Sequence, residues 1–131
     1  LLPFQTFAYF VFSLLTIAGI AMAQTPTNQH YEVRQYQGVD VNRLGDLDQY
    51  LEKALVPALN RRGHSPVGVL SEANPVDGKT SVYVFIPLKS PSDLTTLAAD
   101  LAKDAEYVKA AEAHSAVDPK NPIFARVRSE L

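Results

Sequence analysis

YLEKALVPALNRRGHSPVGVL, residues 50–70, carries a helix, its stop signal and the strand that follows. Leu51, Ala54, Leu55, Ala58 and Leu59 recur at helical spacing and predict one apolar stripe. Gly63 stands where a helix ends in a left-handed residue, a conformation that glycine adopts without strain. Pro66 then biases the chain to an extended run through Val67-Gly68-Val69-Leu70. A helix leading directly into a strand is a unit of an α+β domain.

The flanking sequence supplies the remaining elements. Upstream, YEVRQY (31–36) alternates, with Tyr31, Val33 and Gln35 on one face and Glu32, Arg34 and Tyr36 on the other, which predicts a first strand. Residues 38–42 turn the chain, and the long helix begins between Asn42 and Asp46, where acidic residues suit its positive end. Pro57 lies inside that helix, where a missing donor and a clashing ring cost about 3 kcal/mol, so a kink is expected there. Downstream, NPVDGK (74–79) is a turn between the strand at 66–71 and a third strand at 81–86, SVYVFI, apolar on both faces and therefore central. Ser90-Pro91-Ser92-Asp93 opens a second helical region buried through Leu94, Leu97, Ala98 and Leu101. A break near Asp104, a further helix over 105–114, a loop over 118–122 and a last strand over 123–129 complete the order.

The order β-α-β-β-α-β is the ferredoxin-like pattern, an antiparallel sheet with helices on one face. Strand parity directs Val33, Val82, Val84 and Val127 towards the helices. It leaves Arg34, Tyr36, Leu70, Tyr83, Phe85, Phe124 and Arg126 on the open face. So many exposed rings predict an interaction patch, covered by pairing two sheets face to face in a dimer.

The first 23 residues stand apart. All 12 basic and 14 acidic residues lie from Glu32 onward, and residues 7–23 are almost unbroken apolar sequence ending Ala21-Met22-Ala23. Small residues before Gln24 suit cleavage of an export signal, giving a periplasmic or extracellular protein that does not stay inserted in a membrane. An uncleaved tether is the alternative, although the run is short of the roughly 20 residues of a span. The chain begins with Leu1 and lacks a basic segment ahead of the run, so a fragment is expected. Residues 24–30 read as a linker, and 31–131 as the domain. The absence of Cys excludes disulfides, thiolate metal sites and thiol catalysis, and a net charge of −2 offers no field for nucleic acid.

Several blocks resemble the NIPSNAP family, whose members belong to the dimeric α/β-barrel group. Tyr31-Glu32-Val33-Arg34-Gln35-Tyr36 is similar to the family's opening strand. Tyr50-Leu51, Pro57-Ala58-Leu59-Asn60-Arg61, Gly63 and Pro66-Val67-Gly68-Val69 resemble its middle block in exported bacterial members. Asp104-Ala105-Glu106-Tyr107 looks like its Asp-Pro-Glu-Trp/Tyr helix start, with Ala105 in place of Pro, and Arg126 onward resembles the closing strand. The likeness implies a dimeric α/β-barrel type fold with no agreed catalytic residues. Members of this kind usually continue past the last strand, so the partner of the open sheet is either a second copy or a second similar domain. His64 occupies a position more commonly apolar in relatives.

Arg34 and Arg126, on neighbouring strands beside Tyr36 and Tyr83, form a candidate site for the carboxylate or phosphate of a small organic anion. The plainer reading is that Glu32, on the same face, neutralises one of them as a cross-strand ion pair. His64 is a candidate general acid or base, against the plainer reading of a solvent-exposed turn residue. Tyr50 and Tyr107 read as core-edge residues. Three scattered histidines give no metal signature, no nucleotide or nucleophile motif occurs, and no cofactor is expected. The expected function is therefore a dimerising small-ligand-binding or protein-interaction module. The alternatives are a cofactor-independent oxygenase or isomerase, or half of a two-domain protein.

Overall fold

The computed structural model describes residues 29–114 and 120–131. The expected signal segment and most of the linker lie outside the described residues. Strand β1 (His30–Asp40) leads through a 3-10 turn into α1 (Leu44–Tyr50), a π-helical turn (Leu51–Leu55) and α2 (Val56–Arg61). Then come β2 (Gly68–Ser71), β3 (Lys79–Leu88), α3 (Asp93–Ala102), α4 (Ala105–His114) and β4 (Arg126–Glu130). The sheet has the order β2-β3-β1-β4 with every pair antiparallel, so the protein is α+β and compatible with a ferredoxin-like fold. Among the described residues no helix is long and apolar enough to cross a membrane.

The stripe read from the sequence, Leu51, Ala54, Leu55, Ala58 and Leu59, is buried throughout, and Leu47 extends it by one turn. Pro57 disturbs the helix without ending it. Its nitrogen cannot donate to the preceding turn, and the chain widens just ahead of it, with the Val56 N–H reaching back five residues to the Leu51 carbonyl. The helix stops as expected at Gly63, whose φ is +81°. The His64 N–H donates to the Leu59 carbonyl at 2.9 Å and the Gly63 N–H to that of Asn60 at 3.0 Å, the paired bonds of a Schellman ending.

Central strand β3 buries Thr80, Val82, Val84, Ile86 and Leu88 under the helices and turns Tyr83 and Phe85 to the open face. Its pairing with β1 corrects the face expected for Arg34 and Tyr36. Arg34 stands opposite Val84 and Tyr36 opposite Val82, so both lie on the helix side, while Val33 stands opposite Phe85 on the open side. Further along, the register shifts between Tyr36 and Val39, where Gln37 and Gly38 form a bulge with Gly38 at φ +67°. The extra residue returns Val39 to the core. Phe124 also belongs beneath the helices, not on the open face. Its ring meets Tyr36 edge-on at 5.1 Å between centroids, and it precedes β4, which begins at Arg126.

The open face is accordingly more polar than expected. Arg126 donates through Nε and Nη2 to Gln37 Oε1 at 2.8 and 2.6 Å, and Gln37 donates to Gln35 at 2.9 Å. Gln35 in turn donates to the Tyr83 hydroxyl at 2.9 Å, and Tyr83 to Glu72 at 3.0 Å. A hydrogen-bonded ribbon thus crosses the strands, beside Phe85, Val33 and an exposed Leu70.

Candidate functional site

A cavity of about 610 Å³ lies between the sheet and the helices. Arg34, Tyr36, Val127 and Ser129 form its sheet wall, and Leu47, Tyr50, Leu101 and Tyr107 project into it from α1, α3 and α4. Ala98, Ala102 and Ala111 line it where larger side chains would fill it. Pro122, Ile123 and Phe124, ahead of β4, line it too.

Arg34 is fixed from behind. Its Nε donates to Glu32 Oε1 at 2.8 Å and its Nη2 to Glu32 Oε2 at 3.2 Å, a side-on fork two residues apart on the same strand face. Ser129, from β4, donates to Glu32 Oε1 at 2.8 Å. The Glu32 side chain is 2% exposed and that of Arg34 15%, so the carboxylate is sealed while the guanidinium still reaches the cavity. An ion pair with Glu32 therefore exists, but it lies within one strand rather than across two, and it is buried rather than superficial. Burial works against the Arg34 charge, but the Glu32 fork and the neighbouring Tyr36 outweigh it and raise its pKa.

Three phenols complete the polar patch. The Tyr50 and Tyr107 hydroxyls share a hydrogen bond of 2.8 Å across α1 and α4. Burial pushes the Tyr50 phenol up, helped by Tyr36 and Tyr107; burial also raises Tyr36, with the Arg34 charge partly opposing it. Both keep their protons at neutral pH and act as hydrogen-bonding groups rather than bases. Tyr107 is held by its own helix start, for Asp104 Oδ1 accepts from the Tyr107 N–H at 3.0 Å and caps α4. That N–H, with burial opposing and Arg61 assisting, keeps the Asp104 carboxyl below its ordinary value.

Of the five candidate residues read from the sequence, the fold brings Arg34 and Tyr36 to the cavity. Arg126 and Tyr83 sit on the opposite face of the sheet, within the polar ribbon, and are not brought together with Arg34. His64 does not line the cavity, and it is not the exposed turn residue expected either. The Schellman ending folds it inward to 7% exposure, and its Nδ1 bonds the Pro87 carbonyl at 2.9 Å, so Nδ1 carries the proton. Sequence reasoning missed Tyr50, Tyr107 and Ser129 as cavity residues; it named Glu32 as an ion-pair partner for one of the two arginines. Among the described residues no group of His, Cys, Asp or Glu is placed to hold a metal ion. Comparison with known families, curated proteins and solved structures finds no match for the chain.

Proposed function

We propose that this chain is an exported NIPSNAP-like domain that binds a small molecule between its sheet and helices. The observation that carries the reading is the cavity of about 610 Å³, in the size range of ligand sites, with a buried Arg34–Glu32 fork on its wall. Ala98, Ala102 and Ala111 leave that space open on the helix side, and an ion pair is buried beside it. The ferredoxin-like sheet of the dimeric α/β-barrel type then finds cover for its open face in a second copy or a second similar domain. Exposed Leu70 and half-buried Phe85 and Val33 support that pairing.

A cofactor-independent oxygenase or isomerase would use the same cavity. The raised phenols favour binding over proton abstraction, since they hold their protons at neutral pH. The test is a thermal-shift screen with apolar ring compounds, run alongside native mass spectrometry for bound mass and subunit number. Binding that raises the melting temperature of the protein but not of an Ala98→Phe variant, which fills the cavity, is the expected result. A variant that responds as the parent does would place the ligand elsewhere and sink the reading.

A further inference from the structure

Among the described residues, Arg34 is the one ionic side chain lining the cavity. An arginine facing an apolar pocket invites an anion, as the sequence suggested. The geometry behind it argues otherwise. Glu32 takes the Nε and Nη2 edge of the guanidinium, so the pair is neutral as a unit. The guanidinium N–H groups that Glu32 leaves over lie beside the Tyr36 hydroxyl, so what borders the cavity is a donor without a net charge to match. A ligand carboxylate there would be a third charge, placed close to the sealed carboxylate of Glu32 and lacking a cation of its own.

The rest of the polar patch also donates. The Tyr50 hydroxyl bonds that of Tyr107 and also reaches Tyr36, so two of the three phenol protons are spent within the chain and one is left for an acceptor. All three phenols line the cavity. Everything else lining the cavity is apolar except Ser129, whose hydroxyl is already committed to Glu32. Donors converge on one spot of an otherwise greasy chamber.

We propose that Glu32, by closing on Arg34, sets the ligand's charge, so that the cavity selects an uncharged apolar molecule bearing a carbonyl-type oxygen over its carboxylate counterpart. This narrows the ligand of the binding reading above and rests on it. Glu32 is a positioning residue: it touches Arg34 and not the ligand.

Three probes of one shape test it: 2-acetylnaphthalene, 2-naphthoate and 2-ethylnaphthalene, titrated calorimetrically into the protein at neutral pH. The ketone should bind about tenfold or more tightly than either of the others, the worth of a hydrogen bond to a charged donor. Naphthoate binding as tightly as the ketone overturns the inference and leaves the binding reading intact. So does a hydrocarbon equal to the ketone, since the donors are then unused. Binding of none of the three overturns both. Two variants add a readout that simple loss of structure would not move. Glu32→Gln frees the Arg34 charge, and the ranking should shift towards naphthoate by about tenfold. The double variant Glu32→Met, Arg34→Met should abolish the ketone's advantage while retaining the hydrocarbon. A Glu32→Gln protein that is folded yet keeps the parental ranking would refute the role given to Glu32.

Discussion

Breaking the Glu32–Arg34 fork is the sharpest probe of this fold, because the two partners differ in burial. Arg34→Met strands a carboxylate that is 2% exposed, whereas Glu32→Met strands a guanidinium that is 15% exposed and borders a cavity. Removing one partner of a buried pair costs about 3–5 kcal/mol. The sealed position of Glu32 puts Arg34→Met near the upper end of that range, and access to cavity water puts Glu32→Met at about 3 kcal/mol or slightly less. For a domain of this size, each kcal/mol moves the melting temperature by about 4–8 °C, so both losses are large. The double variant Glu32→Met, Arg34→Met replaces the pair with apolar side chains of similar length and should return to within about 1 kcal/mol of the parent. Urea unfolding of the four proteins closes a double-mutant cycle, and the slope with denaturant should stay constant. Single losses below about 1 kcal/mol, or a double variant no better than the worse single, would refute a desolvated, mutually dependent pair.

Three further outcomes follow from local geometry. Gly38→Ala forces a left-handed alanine and brings its Cβ to 2.9 Å from the Ala125 Cβ; the strain alone is about 1–2 kcal/mol, to be read as a lower urea midpoint, and an unchanged midpoint would mean the bulge relaxes. Burial raises Tyr36 and Tyr50 above their ordinary value of 10.0, so the folded chain keeps protons that the unfolded chain releases. Stability is then intact below pH 10 and falls as pH rises beyond it, and Tyr36→Phe or Tyr50→Phe should flatten that fall in alkaline melting curves. Asp104 is held low first by the Tyr107 N–H, so its contribution is present above the ordinary 3.8 and disappears as pH drops through the folded value. Acid should therefore lower the protection of the Tyr107 amide against exchange, measured relative to its intrinsic rate at each pH, and Asp104→Asn should remove that change; a parental protection factor that stays constant with pH would contradict the cap.

The parts of the fold visible in the sequence were those set by near neighbours. The stripe from Leu51 to Leu59, the stop at Gly63, the central character of β3 and the break at Asp104 depend on spacing or on one backbone conformation. Strand β1 was harder. Tyr31-Val33-Gln35 and Glu32-Arg34-Tyr36 each mix polar and apolar groups, so alternation alone assigns no inner face. The partner strand decides it, by setting Arg34 against Val84. Pairing of Glu32 with an arginine is legible in the sequence, but its burial is not, because Ser129, which completes the carboxylate's partners, comes from 97 residues away. Tyr50 and Tyr107 are 57 residues apart, and only the packing of α4 on the first helix brings their hydroxyls into contact. His64 was misjudged for a related reason: a residue after a helix stop is usually outside, but here the Schellman bonds aim it back at Pro87.

The bulge at Gln37 and Gly38 divides β1 into two segments of opposite phase. The first offers its even-numbered residues to the interior and the second begins with Val39. Each segment therefore answers to its own neighbours: one to the chemistry of the chamber, the other to the framework near Thr80. Dropping a single residue at this joint would force one segment inside out, exposing either the fork or the framework to water. The chamber's lining can thus change by point substitution, but the length of the strand that carries it cannot.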